Sequence, residues 1–470
     1  MRKILKRKRR RKLRARRIAA ACLSAALLLT GFAAVPAQAA RFSDIQGHWA
    51  QKKIERAVEL GLFSGVSETR FAPDRKLTRA MFVCVLAKCS GYHPDEYRMS
   101  RFSDVAETAW YAPAVAWAAE QGVSAGTSAD TFSPDLEITR EQVAVMLLHY
   151  AGLQNRILPR VRAGQLFSDS DLCADYALDA VYTLYRSGIV SGVPDGGFHP
   201  KGLMTRAECA AVLCNYVDTV GRAYAADERA ALISHRGYSA AAPENTMPAF
   251  ALAAQKGFAF VETDVQFTAD GVPVLLHDRT IDRTSDGSGR VDALTYRELL
   301  QYDFGAWKSP QYAGTRIAAL EDLFALCAEK GLHAMVELKY PMTEEQVRQL
   351  ADLADAYEMR GRVTWISFFV QNLRTMEQVN PEAELFLAVD RLNRSSLRTA
   401  GELKNGSNTV GVTAPYTELT PAKRAACLRG GLALGVWTVS DRQECIRQIN
   451  TCAQFLTTDG ITAQEVYAGQ

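Results

Sequence analysis

From residue 231 onward the chain alternates short apolar runs with stretches of helical periodicity. Residues 231–234, 260–262, 334–336, 363–367, 385–389, 409–412, 434–439 and 455–457 are apolar or β-branched runs of strand length, and helical patterns separate most of them. Strands that are apolar on both faces and joined by helix-length segments belong in a parallel sheet covered by crossover helices. Eight of them predict a closed α/β barrel of the TIM type. A ninth run, 272–276, follows Asp270-Gly271, a two-residue hairpin signal. It must therefore run antiparallel and lie outside the barrel.

The pattern before residue 220 differs: it is helical and it repeats. Phe42-Ser43-Asp44, Phe102-Ser103-Asp104 and Phe167-Ser168-Asp169 each open a unit. An aromatic-Ala pair follows (Trp49-Ala50, Tyr111-Ala112, Tyr176-Ala177) and begins an amphipathic helix that stops at Gly61, Gly122 or Gly188. A second glycine, a Phe-x-Pro turn and a second helix after Thr78-Arg79, Thr139-Arg140 or Thr205-Arg206 complete each unit. Self-similarity at a fixed period is the mark of a repeat architecture, so an all-α domain of three units is expected at 41–98, 99–162 and 163–219. Residues 220–229 form a short linker with one glycine and no proline, and 230–470 form the barrel domain.

Residues 1–39 belong to neither domain. Residues 1–17 hold twelve Lys and Arg and no acid, residues 18–35 are apolar, and Ala37-Gln38-Ala39 is a small-residue cleavage site. That is the layout of an export signal; an uncleaved anchor is the alternative, and no stable membrane span is expected once the signal is cut. The formal charge of +3 is misleading, because without those twelve cations 43 basic residues face 52 acidic ones. The mature chain is acidic, and nothing in it suggests nucleic-acid binding. Nine cysteines remain after the signal, scattered and without CxxC spacing, and read mainly as small buried hydrophobes.

The chemistry lies at the downstream ends of the first barrel strands. In order come His235-Arg236-Gly237, Glu244-Asn245-Thr246, Glu262-x-Asp264, His277-Asp278 and Glu337-x-Lys339. In a parallel barrel the C-terminal strand ends converge on one mouth, where catalytic groups belong. Glu262, Asp264 and Glu337 are hard oxygen donors that suit Ca²⁺ or Mg²⁺. Arg236 and Lys339 are cations for an anion, and His235 and His277 carry protons near neutral pH. The set describes phosphodiester cleavage. With Asp270-Gly271 as the turn, the hairpin register puts His277 opposite Asp264.

This stretch resembles the glycerophosphodiester phosphodiesterase family, whose members carry HRG, PENT, ExD, HD and ExK in this order on a TIM-type barrel. The resemblance covers about 230–470. It implies His235 and His277 as general acid and base, Glu262, Asp264 and Glu337 as ligands of a divalent ion, and Arg236 and Lys339 on the phosphate. Glu244 and Asn245 fall in the supporting motif. Trp437 and Phe368 are candidates for the wall of the alcohol pocket, and the long segment 279–321 is expected to cover the site and set substrate choice. One departure is that residues 316–321 lack the proline usual in the family. Which histidine is the acid, and whether water or a glycerol hydroxyl attacks, stay open.

The repeats resemble S-layer homology domains, three of which form a pseudo-threefold unit that binds anionic secondary cell-wall polysaccharide. The resemblance implies ligand grooves built on Arg79, Arg140 and Arg206, with Asp44, Asp104 and Asp169 and the aromatics Trp49, Tyr111 and Tyr176 nearby. Thr139 with Gln142 and Thr205 with Glu208 are capping boxes, whereas the first repeat has Met81 at that position. Unpaired amides and an arginine at each helix start would suit an anion. The expected whole is a secreted, wall-anchored, metal-dependent hydrolase of glycerophosphodiesters, releasing sn-glycerol 3-phosphate and an alcohol. Alternatives are a hydrolase of glycerol-phosphate polymers such as teichoic acid, a phospholipase D-like enzyme, and a wall-binding protein with a silent barrel. The last would lack a ligand or a histidine, and none is missing.

Overall fold

The computed structural model describes residues 42–97, 100–225 and 228–468; the expected export signal lies outside them. Two compact units meet at residues 223 and 224, inside the expected linker. Among the described residues no helix is long and apolar enough to cross a membrane.

The first unit holds three helix pairs: α1 (Gln51–Glu59) and α2 (Arg79–Cys89), α3 (Ala112–Glu120) and α4 (Arg140–Leu153), α5 (Asp175–Arg186) and α6 (Arg206–Val220). The second helix of each repeat packs on the first helix of the next, α2 on α3, α4 on α5 and α6 on α1, so the three units close on themselves. Thr139 and Thr205 cap their helices reciprocally with Gln142 and Glu208. Thr78 caps alone, because Met81 offers no return bond. Each opening aspartate has a structural task. Asp44 accepts from the amides of Phe71 and Ala72, Asp104 from Phe132 and Ser133, and Asp169 from Phe198 and His199, all at 2.7–2.9 Å. Ala72, Ser133 and His199 stand at φ 58, 56 and 56, a left-handed conformation costly for a residue with a Cβ. The carboxylate holds each of them there.

The second unit is the expected barrel. Its strands are β1 (Ala231–Ser234), β2 (Phe260–Phe267), β3 (Pro273–Leu275), β4 (His333–Leu338), β5 (Val363–Ser367), β6 (Glu384–Ala388), β7 (Val410–Pro415), β8 (Ala433–Trp437) and β9 (Phe455–Thr458). Eight are parallel in the order β1-β2-β4-β5-β6-β7-β8-β9, and β9 pairs back onto β1. β3 hangs on the far end of β2 as an antiparallel extra. His333 opens β4 with its ring 4.7 Å from that of Phe260, a packing role at the end away from the mouth. The nine described cysteines are all free thiols, in line with their reading as buried hydrophobes.

The hairpin register differs from expectation by one residue. Val265 pairs with Leu275 and Gln266 with Val274, so Leu276 stands opposite Asp264 and donates its amide to the Asp264 carbonyl at 3.0 Å. The turn has three residues, 269–271, closed by Thr268 N to Val272 O, with Gly271 at φ 78. A three-residue loop with a left-handed glycine is the next commonest hairpin after the two-residue kind. His277 still reaches the mouth because the ladder ends at Leu275. Gln266 Nε2 donates to the carbonyls of Leu276 and Asp278 at 2.6 and 2.5 Å and peels the chain off the sheet, so strand alternation no longer decides where His277 points.

Candidate active site at the barrel mouth

Alternation along each strand carries the site up from the floor of the barrel. Ile233, Met335, Ile366, Phe386, Ala433 and Phe455 form a buried cluster, with Phe260 packed against it. Every second side chain of a strand points the same way. Two residues past Ile233 and Met335 stand His235 and Glu337; two and four past Phe260 stand Glu262 and Asp264. Four past Ala433 and Phe455 come Trp437 and Asp459. Asp264 and Glu337 are register partners on β2 and β4, so their carboxylates share one level of the mouth.

One oxygen from each of Glu262, Asp264 and Glu337 lies within 4.8 Å of the others. Lys339 Nζ sits 2.9 Å from Glu337 Oε1 and 3.3 Å from Asp264 Oδ1. The Arg236 amide donates to Glu262 Oε2 at 2.9 Å and its Nη1 to Glu244 Oε1 at 2.8 Å, while its Nε lies 3.3 Å from Asp264 Oδ2 without hydrogen-bond alignment. Arg236 is left-handed at φ 55 and Gly237 follows at φ 76. A Cβ on Gly237 would come within 2.7 Å of the Ala249 backbone, so only glycine fits behind the arginine. Asn245, also left-handed, donates to Asp264 Oδ2 at 2.9 Å and accepts from Thr263 Oγ1 at 2.8 Å.

Each histidine is held by an aspartate. His235 Nδ1 lies 2.7 Å from Asp459 Oδ1, and His277 Nδ1 lies 2.7 Å from Asp278 Oδ1. These contacts leave both Nε2 atoms for chemistry. Asp459 was legible only as the residue after the last strand, and Asp278 only as the partner letter of His277. Arg283 carried no signal at all: it lies in the long segment after the hairpin and donates to Asp278 Oδ2 at 2.6 Å and to both Glu244 oxygens at 2.9 and 2.7 Å.

The electrostatics follow from burial and neighbours. Burial, reinforced by the Asp264 charge, pushes the Glu337 carboxyl up to about 7, and the same two causes raise Glu262. Burial also acts against the Asp264 charge, yet Lys339 and Arg236 outweigh it and hold that carboxyl at about 2. Burial favours neutral His235, but the Asp459 bond and the Glu262 charge prevail and raise it. Burial prevails at His277 and lowers it. Arg283, and then His277, hold Asp278 at about 2.

Phe368 and Trp437 meet edge to face across the mouth, centroids 6.3 Å apart, and Phe368 is 39% exposed. The 279–321 segment has its own apolar core of Ile281, Val291, Leu299, Phe304 and Ile317 on the hairpin residues Val274 and Leu276. Lys308 Nζ reaches from it to the Ser239 carbonyl at 2.7 Å, on the loop after β1.

In the repeats, Arg79, Arg140 and Arg206 occupy matching places. Each donates Nε to a carbonyl of the next repeat, Phe132, Phe198 and Phe71, at 2.7–2.9 Å, and lies 4.5–4.8 Å over that phenylalanine's ring. The expectation of free amides at these helix starts is corrected. The first two amides of α2, α4 and α6 donate to backbone carbonyls of the next repeat, as Arg79 N does to Leu136 O and Ala80 N to Pro134 O, so bonds between repeats have used them. The grooves are unequal. Arg140, Phe198 and the 68% exposed Trp49 line a cavity of about 640 Å³. At the matching site Arg79 is buried, and Tyr176 Oη bonds to Glu141 Oε1 at 3.4 Å. Tyr111 stands at the N-cap of α3 beside exposed Trp110.

A parallel eight-stranded barrel with three carboxylates, two aspartate-held imidazoles and two cations in its mouth has the equipment of a phosphodiester-cleaving enzyme. Residues 235–463 match the glycerophosphoryl diester phosphodiesterase family, and residues 41–81, 101–144 and 166–210 match the S-layer homology domain. A glycerophosphodiester phosphodiesterase from Caldanaerobacter subterraneus is 31% identical over 233 residues, 48% of this chain and 93% of that protein. The putative enzyme YhdW of Bacillus subtilis is 31% identical over 236 residues, 49% of this chain and 92% of that one. Exoglucanase XynX of Acetivibrio thermocellus is 30% identical over 188 residues, of which this chain spans 17% of that protein's length. The solved glycerophosphodiester phosphodiesterase from Agrobacterium tumefaciens superimposes with a TM-score of 0.44 at 23% identity, covering 51% of this chain and 100% of that one. The chain belongs to the glycerophosphodiester phosphodiesterase family. It is a glycerophosphodiester phosphodiesterase preceded by three S-layer homology domains, which associate it with the cell surface.

Proposed function

We propose that this is an exported, wall-anchored, divalent-metal-dependent enzyme that hydrolyses glycerophosphodiesters to sn-glycerol 3-phosphate and an alcohol. The observation that carries the reading is the convergence of Glu262, Asp264 and Glu337 in one buried cluster beside two imidazoles and two cations. The cluster fits a hard cation: two of its three carboxyls are raised by burial and by the Asp264 charge, which is the strain that Ca²⁺ or Mg²⁺ relieves. Such an ion, when bound, supplies Lewis-acid polarisation of the phosphoryl oxygens.

The chain's own groups do the rest. Arg236 and Lys339 neutralise charge on the phosphoryl oxygens. His235 is the general acid: Asp459 stabilises its imidazolium, and its affinity for the proton is raised. His277 is the general base, because Asp278 divides its charge between this imidazole and Arg283 and burial keeps the ring neutral. Neutral His277 Nε2 accepts the nucleophile's proton, and His235 gives one to the leaving alkoxide. Phe368 and Trp437 form the wall for the alcohol. The repeats bind anionic secondary cell-wall polysaccharide, with the Arg140 and Trp49 cavity as a groove for it.

The test is release of glycerol 3-phosphate from glycerophosphocholine and glycerophosphoethanolamine by the mature chain, after chelation and again with Ca²⁺ or Mg²⁺ restored, beside H235A. Metal-restored activity that H235A lacks supports reaction and site together. Activity on glycerol-phosphate polymer alone would replace the substrate; inactivity on both would overturn the reading.

A further inference from the structure

Arg283 touches none of the groups assigned to substrate or metal, yet it stands between two of them. Its three donors take Asp278 Oδ2 and both oxygens of Glu244. Asp278 Oδ1 holds His277 Nδ1, and Glu244 Oε1 holds Arg236 Nη1. A continuous string of charge-assisted bonds therefore runs His277, Asp278, Arg283, Glu244, Arg236. The elements involved are separate in sequence: Glu244 lies in the loop after β1, and Arg283 39 residues later, past the hairpin. Arg283 adjoins the turn at Ile281, whose side chain is anchored in the apolar core of the 279–321 segment.

Its environment argues against a packing role. The Arg283 side chain is 45% exposed while that of Glu244 is 14% exposed, so the arginine comes from the solvent side to close over a largely buried carboxylate. Its planar fork engages Glu244 through two nitrogens and Asp278 through the third, which an ammonium group on a flexible stem does not reproduce. Without it, Glu244 keeps a single cation for two oxygens and Asp278 loses the partner that fixes its plane. Both changes loosen a group that faces the reacting phosphate.

Resting on the phosphodiesterase reading, we infer that Arg283 is a positioning residue that sets the phosphate-binding arginine and the proton-accepting histidine in register with each other. Groups that orient ligands from the next layer out cost about 10–100-fold when removed. R283A should lower kcat/KM on glycerophosphocholine by that factor, with kcat falling through His277 and KM rising through Arg236. R283K should recover little, and free guanidinium should restore R283A in part. Binding of inorganic phosphate to the whole chain, measured by calorimetry, should weaken in R283A independently of turnover. Three results each overturn the inference: both kinetic constants within about threefold of wild type, a change confined to one of them, or a loss that guanidinium fails to lift in a protein with unchanged melting. An inactive wild type whose phosphate affinity still falls in R283A would sink the reaction and leave the positioning role standing.

Discussion

Asp459→Asn isolates the contribution of one charge to catalysis. Asparagine keeps the size of the side chain and can still accept a bond from His235 Nδ1, so the ring keeps its tautomer while the stabilising charge disappears. A hydrogen bond to a charged group is worth about 1.5–3 kcal/mol. The contact here is short, 2.7 Å, but the Asp459 side chain is 43% exposed, and solvent screening puts the value at the low end. About 1.5 kcal/mol corresponds to about one pH unit in the His235 titration and about tenfold in the population of imidazolium. The sign follows from the direction of the shift. His235 is raised above its ordinary value, so as the general acid it sets the alkaline limb of the rate profile, and losing Asp459 moves that limb down. His277 is lowered and, as the base, sets the acid limb, which stays in place. The assay is kcat/KM for glycerophosphocholine against pH in wild type and D459N with saturating metal. An alkaline limb that stays put, or an acid limb that moves instead, would refute the assignment of His235 as acid.

Glu337→Gln preserves volume and removes one of three ligand charges; Ca²⁺ or Mg²⁺ affinity should fall about 100-fold or more, read by calorimetry, with a matching fall in turnover at fixed metal. Because the Glu337 carboxyl stands at about 7 without the ion, it is protonated below that pH, and the cation must displace the proton. Metal affinity should therefore weaken as pH falls through 7, with proton release near pH 6.5 and little near pH 8.5, measured in buffers of different ionisation enthalpy. Arg79→Ala leaves the Phe132 carbonyl without its donor and a void under the Phe132 ring. Chemical unfolding of the full chain should show a loss of about 2 kcal/mol. R206A, whose arginine is more exposed, should cost less.

The elements were legible wherever one physical cause dominated locally. Apolar runs on both faces announced eight parallel strands, the fixed period announced three repeats, and the carboxylates and imidazoles at strand ends announced the mouth. The hairpin was misread by one residue because Asp270-Gly271 satisfies both a two-residue and a three-residue turn, and Thr268, Val272 and the Gln266 side chain decide between them. The free amides expected at Arg79, Arg140 and Arg206 were a local inference about helix ends. Backbone carbonyls more than fifty residues away had already taken them.

By itself the sequence determined the kinds of group present, their order, and through strand alternation which of them face inward: period two and the downstream end of a buried strand are properties of the chain alone. Only the tertiary structure decided who holds whom. Asp459 reaches His235 across 224 residues because β9 closes onto β1, and Arg283 reaches Glu244 because the hairpin folds back over the first loop. Partners of this kind depend on closure of the barrel, which no window of sequence contains.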